Sequence, residues 1–111
     1  MAIWNLGSIN ADHVYRVPHL PAGGETISST NREVFLGGKG TNMSVAAARA
    51  AARVHHIGAV GHDGRWAVQR LMEYGVDTRN IAELETETAQ AIIMVDDAGE
   101  NAIVLHPGAN A

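Results

Sequence analysis

The chain has 111 residues, of which 46% are hydrophobic and 18% are charged, a balance typical of a soluble globular chain with one core. It contains no apolar run of about 18 residues, so neither a membrane span nor a signal peptide is predicted, and we expect a cytoplasmic protein. The net charge of −4, without a basic cluster, argues against a nucleic-acid partner. Cysteine is absent, which excludes disulfides, thiolate zinc sites and a cysteine nucleophile.

The first third of the chain is predicted to form strands. The apolar segment 2–9 predicts a buried strand that ends in the polar residues Asn10 and Asp12. Residues 13–17 predict a short second strand. After a break rich in proline and glycine, the β-branched and polar segment 26–36 predicts the partner strand of a hairpin.

The middle of the chain alternates helix and strand. Residues 42–53 are rich in alanine and predict a helix, and the apolar run 54–60 predicts a strand. Asp63 is predicted to be the N-cap of a second helix over 65–74, which Gly75 would end.

The last third predicts a second hairpin. Two strand-like runs, 88–95 and 101–106, are joined by the turn-forming segment 96–100. The alternating strands and helices before them require a parallel sheet with covering helices, whereas the two hairpins require a separate small sheet. The sequence therefore predicts one domain, an α/β core that carries a β flap.

Asn10 and Asp12 are the first candidate site residues. They are two positions apart, so in a strand both side chains lie on the same face, at the end of a strand where α/β sheets bind ligands. A carboxylate accepts from two neighbouring hydroxyls and an amide both donates and accepts, so the pair suits a polyol such as a sugar. The alternative is that both are ordinary turn residues.

A glycine-rich run, Gly37-Gly38-Lys39-Gly40-Thr41-Asn42, is the second candidate. Its glycines allow the backbone to approach a ligand closely, and the helix that follows presents unpaired N–H groups. It contains the only lysine of the chain, but it matches neither a Walker A loop nor the dinucleotide fingerprint. A tight strand-to-helix turn without a ligand is the alternative interpretation.

The six histidines do not predict a metal site. His55 and His56 are adjacent, so in a strand they face opposite sides, and the others are scattered along the chain. Asp96 and Asp97 are explained by the hairpin turn and lack the ligand pattern of a calcium loop.

Four ordered motifs resemble the ribokinase/phosphofructokinase-B family of sugar kinases. They are Gly7-Ser8-Ile9-Asn10-Ala11-Asp12-His13, the run GGKGTN, residues 58–64 (GAVGHDG) and residues 106–110 (HPGAN). The resemblance, which is closest to the ribokinase branch, implies a three-layer α/β sandwich with a small β-sheet lid. It also implies phosphoryl transfer from ATP, with Mg²⁺, to a hydroxymethyl group of ribose or a similar sugar.

The same resemblance implies roles for individual residues. Asn10 and Asp12 would hold ring hydroxyls, and Gly38, Lys39 and Asn42 would line the same pocket. The substrate-binding stretches also contain three residues that would contribute mainly backbone, namely Ala11, Gly40 and Thr41. The lid strands, at about 13–36 and 88–106, would cover the sugar and form a homodimer contact.

The chain departs from the family pattern in two ways. Ala51 stands where the family usually has Gly or Ser, so we expect the preceding helix not to end there in a left-handed residue. The second departure is larger, because the D-T-x-G-A-G-D and N-x-x-E motifs, which supply the base, the anion hole and the magnesium contacts, do not occur.

We therefore expect this chain to be the N-terminal, sugar-binding portion of a sugar kinase, with the catalytic and ATP-binding part beyond residue 111. Alone it should be inactive and bind ATP and Mg²⁺ poorly. It should also be poorly soluble, self-associate or need its missing half, because a sheet edge and an apolar face are left uncovered. The alternatives are a family kinase of fructose or a nucleoside, and a non-catalytic sugar-binding or regulatory module.

Overall fold

The computed structural model describes residues 2–111. The strands are β1 (Ala2–Leu6), β2 (Asn10–Arg16), β3 (Asn31–Gly37), β4 (Arg53–Val60), β5 (Asp77–Glu83), β6 (Ala89–Val95) and β7 (Asn101–His106). The α-helices are α1 (Lys39–Arg49) and α2 (Arg65–Glu73), and short 3₁₀ helices lie at His62–Gly64 and Gly108–Asn110. Neither α-helix is long and apolar enough to cross a membrane.

A parallel three-stranded sheet in the order β1-β4-β5 forms the core of the fold. Apolar side chains from β4, α2 and the connecting segments pack together and are almost fully buried. They are Ile9, Val54, Val60, Ala67, Leu71 and Val76. The parallel sheet with packed helices that the sequence predicts is thus confirmed.

A second sheet of four strands, in the order β3-β2-β6-β7, carries the hairpins. Both predicted hairpins are present, because β2 pairs antiparallel with β3 and β6 pairs antiparallel with β7. The two hairpins join through parallel pairing of β2 with β6, which places Asn10 beside Ala89 and Asp12 beside Ala91. The α/β class with a small additional sheet is therefore also confirmed.

Two expectations about the first strands are wrong. The segment 2–9 is not one strand, since β1 stops at Leu6, and Asn10 opens β2 rather than closing β1. The break occurs where Gly7 crosses the backbone of Gly40, a crossing close enough that a Cβ on Gly7 would lie 2.6 Å from Gly40 Cα. Nor is β1 buried, because it pairs only with β4 and leaves Leu6 76% exposed.

Expectations about the helix ends are also corrected. Helix α1 begins three residues earlier than predicted and ends at Arg49, and Ala51 does adopt the left-handed conformation, with φ of 66°. The N-cap of α2 is Gly64, not Asp63. The Asp63 carboxylate instead accepts a hydrogen bond from the Thr88 backbone N–H at 2.8 Å, because the tertiary contact to the start of β6 competes with the local cap.

Candidate functional site

A cavity of about 450 Å³ lies between the start of β2, the N-terminus of α1 and the end of β7. Its lining residues come from these three elements, from the loop before β2, from the start of β6 and from the turn that follows β7. They are Ser8, Asn10, Asp12, Gly38, Lys39, Asn42, Ala89, Leu105, His106, Pro107 and Asn110. Five of the eight predicted site residues therefore meet at one cavity, although they lie up to 32 positions apart in the sequence (Asn10 to Asn42).

Asn10 and Asp12 enter the cavity from β2. Their spacing in the strand places both side chains on one face, as predicted, although at the start of the strand rather than at its end. Gly37 on β3 makes room for the carboxylate, since a Cβ there would lie only 2.5 Å from Asp12 Oδ1. Partial burial raises the pKa of Asp12, and the neighbouring His13 acts in the opposite direction. Asp12 is thus a partly desolvated hydrogen-bond acceptor.

Lys39 and Asn42 enter the cavity from the first turn of α1. They are three positions apart, so they lie on the same side of the helix. Gly38 is the N-cap and has φ of 97°, a conformation that favours glycine, and a Cβ there would lie 2.6 Å from Ser8 O. The first turn contains no acidic residue, so the positive end of the helix dipole is not neutralised locally.

Three predicted residues do not line the cavity. Ala11 is buried, and the alternation of β2 places it on the opposite face from Asn10 and Asp12. Gly40 packs against the backbone before β2, and Thr41 is buried with its N–H donating to Ser8 O at 3.0 Å. Gly40 and Thr41 hold α1 against the loop that leads into β2, so they shape the site without lining it.

Among the cavity residues that were not predicted as individual site residues are two polar ones near the end of the described chain, His106 and Asn110. His106 is the last residue of β7, and its ring lies 3.7 Å from the Glu87 carboxylate. The Asn110 side chain donates to Asn10 Oδ1 at 2.8 Å across 100 residues of chain. Both lie in the HPGAN motif, but no local pattern showed that this segment folds back onto β2.

The family profile described as "pfkB family carbohydrate kinase" matches residues 3–111. This chain belongs to the pfkB family. It is 44% identical to the ribokinase of Haemophilus influenzae over 96% of its own length and 36% of that relative. This chain therefore spans only about the N-terminal third of the curated relatives it matches.

Solved structures of the pfkB family share the fold of this chain. The ribokinase of Cryptococcus neoformans, solved in complex with ADP, superposes with a TM-score of 0.89 and 42% identity, over 98% of this chain and 35% of that one. The Arabidopsis thaliana ribokinase, complexed with ribose and ATP, gives a TM-score of 0.87 and 30% identity, over 98% and 36%. The two-sheet architecture is thus part of the ribokinase fold.

In this pfkB-family chain, a buried hydrogen-bond network connects β4 to α1 and to the loop before β2, both of which border the cavity. His56 on β4 accepts at Nδ1 from Ser44 Oγ, 2.7 Å away, and donates from Nε2 to Gly7 O at 3.0 Å. Asn5 donates to both Ser44 Oγ and Gly40 O at 2.8 Å. Burial lowers the pKa of His56, and its bond to the Gly7 carbonyl acts in the opposite direction. The neutral imidazole thus ties β4 to both α1 and the loop before β2.

The described residues do not form a metal site from side chains alone. Within residues 2–111, no group of three His, Asp or Glu side chains is placed to hold a metal ion. The cavity itself contains a single carboxylate, Asp12, among its lining side chains. What the arrangement offers is one carboxylate acceptor and one ammonium donor beside amide side chains, which can both donate and accept.

Proposed function

We propose that this chain is the N-terminal, sugar-binding portion of an ATP-dependent sugar kinase, which transfers a phosphoryl group to a hydroxymethyl group of ribose or a similar sugar. The observation that carries the proposal is the convergence of Asn10, Asp12, Lys39 and Asn42 on one cavity. A sugar presents hydroxyls that each donate and accept, and this set supplies a carboxylate acceptor, two amides and an ammonium donor. The family membership supports the same chemistry.

Asp12 would accept hydrogen bonds from two neighbouring ring hydroxyls. Its carboxylate is partly buried, so water competes less for its lone pairs. Lys39 would donate to a hydroxyl oxygen of the sugar. The positive end of the α1 helix dipole would attract the oxygen atoms of the sugar as well. These contacts bind and orient the substrate. Orientation is a large part of phosphoryl transfer, because the attacking hydroxyl must be held in line with the transferred group.

The base, the anion hole and the ATP contacts are proposed to lie outside these residues. The supporting facts are that the chain spans 36% of the Haemophilus relative and that residues 2–111 place no cluster fit for Mg²⁺. We therefore propose that this segment alone turns over no ATP. A cytoplasmic location belongs to the same proposal, because ATP is the proposed co-substrate and cysteine is absent.

The four-stranded sheet is proposed to act as the lid and as a contact to a second copy. Its register places Phe35, Asp12 and Leu105 on one face, the face that also bounds the cavity. Phe35 is 47% exposed and Leu105 is 67% exposed, so this face carries large uncovered apolar side chains. Large exposed apolar patches mark interaction sites, so the sugar would cover one part of this surface and the sheet of a second copy would cover another part.

The experiment is a phosphorylation assay on the complete product of the reading frame that contains this chain, with ATP and a panel of ribose, fructose and nucleosides. We expect ribose to be phosphorylated, and Asp12→Asn to raise the KM for ribose at least about tenfold because the acceptor pair is lost. Asp97→Asn is the matched control, since Asp97 is exposed at the tip of the β6–β7 hairpin. Preference for another substrate would reassign the substrate. Sugar binding without phosphorylation would instead support the non-catalytic module.

Calorimetry with ribose on residues 1–111 alone tests the assignment of this segment. We expect little or no heat, because an open site without its remaining half holds the sugar loosely. Tight binding, at an affinity equal to that of the complete product, would contradict the need for closure by the rest of the protein.

A further inference from the structure

Asn110 is locked to the backbone of Ile9 by two hydrogen bonds of opposite sense. The Ile9 N–H donates to Asn110 Oδ1 at 3.2 Å, and Asn110 Nδ2 donates to Ile9 O at 3.2 Å. The turn that carries Asn110 is itself anchored, because Ala109 is buried and its N–H donates to Glu87 O at 2.9 Å. The side chain therefore has a fixed position.

The sense of its amide is fixed as well. A backbone N–H can only donate and a backbone C=O can only accept, so the Ile9 pair requires the oxygen of Asn110 on one side and its NH₂ on the other. The second hydrogen of that NH₂ points to Asn10, whose side-chain atom lies 2.8 Å away. Asn10 must therefore present its oxygen to Asn110.

This arrangement decides what Asn10 offers to a ligand. Oδ1 of Asn10 is turned toward Asn110 and accepts from it, whereas none of the hydrogen bonds within residues 2–111 uses Nδ2, so Nδ2 is the unpaired group that Asn10 presents at the cavity. Asp12, two positions along β2, offers only acceptors to the same cavity when ionised. The two side chains of β2 thus present a fixed donor beside a fixed acceptor.

We propose that Asn110 is a positioning residue that sets the hydrogen-bonding sense of Asn10, so that Asn10 donates to a hydroxyl oxygen of the substrate while Asp12 accepts from a neighbouring hydroxyl. The sugar as the ligand rests on the proposed function. The polarity of Asn10 rests only on the geometry, so the two are tested separately. A residue that merely closes the fold would stabilise the turn without determining which atom of Asn10 faces the cavity.

The first test is NMR of the Asn10 side-chain amide in the complete product, without sugar. Asn110→Asp keeps the acceptor for the Ile9 N–H but replaces the donor with a carboxylate oxygen. We expect Asn10 to turn over and donate to this introduced carboxylate, which moves one of its amide protons downfield. Asn80→Asp, an exposed site on β5, is the control and should leave the signal unchanged. An Asn10 amide identical in Asn110→Asp and wild type would overturn the proposal.

The second test is ribose affinity, measured by calorimetry in a double-mutant cycle of Asn110→Asp and Asn10→Ala. The first change turns the oxygen of Asn10 toward the cavity and the second removes the amide, so each should weaken binding about tenfold. The double variant should lose no more than about one of these factors, because Asn110 acts through Asn10. Fully multiplicative losses would refute the positioning role. If the wild type does not bind ribose, the proposed ribose substrate is wrong, and the NMR signal of the Asn10 amide still decides the role of Asn110.

Discussion

Gly40 is the position where a single methyl group should disturb both stability and the site. It lies in the first turn of α1 against the loop before β2, and a Cβ there would lie 2.5 Å from Gly7 Cα and Ser8 N. Two hydrogen bonds cross this contact, from Asn5 Nδ2 to Gly40 O at 2.8 Å and from Thr41 N to Ser8 O at 3.0 Å. Gly40→Ala would therefore separate α1 from the loop.

The magnitude follows from two opposed effects. Alanine in a helix is favoured over glycine by about 1 kcal/mol, and less in the first turn. The clash is with backbone atoms, which cannot rotate away, and an ordinary contact at 3.4 Å or more requires a shift of about 1 Å. Overpacking of this kind costs about 1–3 kcal/mol, so we expect a net loss of about 1–2 kcal/mol in the free energy of unfolding.

Urea unfolding and ribose calorimetry on the complete product check this prediction. The same shift carries Lys39 and Asn42, so the affinity for ribose should fall together with the stability. Gly23→Ala is the control, because a Cβ at Gly23 would meet nothing within 4 Å and its φ is not positive. If Gly40→Ala were as stable as this control and bound ribose equally well, the close contact would not hold the site together.

Three further changes probe the site and its support. Lys39→Met should weaken ribose binding by about tenfold or more in calorimetry while Arg53→Met does not, since only the first removes a charged donor from the cavity. Burial lowers the pKa of His56 from 6.5, so its stabilising effect is present above that pH and is lost as pH falls towards the lower folded-state pKa. Between about pH 7.5 and 5, wild type should lose unfolding free energy relative to His56→Gln, and parallel curves would contradict this. Thr88→Val should cost about 1–3 kcal/mol in urea unfolding, because Thr88 Oγ1 is the buried acceptor, at 2.9 Å, of the Gly61 N–H, and an unchanged midpoint would exclude that role.

The part of the site that the sequence predicted depends on short-range geometry. Asn10 and Asp12 share a face because strand side chains alternate, and Lys39 and Asn42 share a side because helix positions three apart are neighbours. Both statements hold although the boundaries of β2 and α1 differ from the predicted ones. Periodicity tolerates an error of a few residues at an element's end, provided that the residues stay inside the element.

The parts that were missed depend on tertiary contacts. Strand β5 has a polar sequence and forms because β4 offers it a parallel edge. Asp63 stands in a sequence position typical of an N-cap, but its carboxylate accepts instead from the Thr88 backbone N–H, 25 positions away. Ala51 takes a conformation that is costly for a residue with a Cβ, because α1 must end before β4 begins. In each case a distant partner outweighs the local preference.

The cavity therefore has two halves with different origins. The local half consists of residues from β2 and α1, which lie within the first 42 positions. The distant half consists of residues from β7 and Asn110, whose position depends on the four-stranded sheet and on the hydrogen bonds between Asn110 and Ile9. A ligand that contacts both halves binds the folded state alone, so it should stabilise that state by about 2.7 kcal/mol at about a hundredfold excess over its Kd. In Asn110→Asp the same ligand concentration should give a smaller stabilisation. Its local half is intact, but the donor sense of Asn10, which depends on the distant half, is lost.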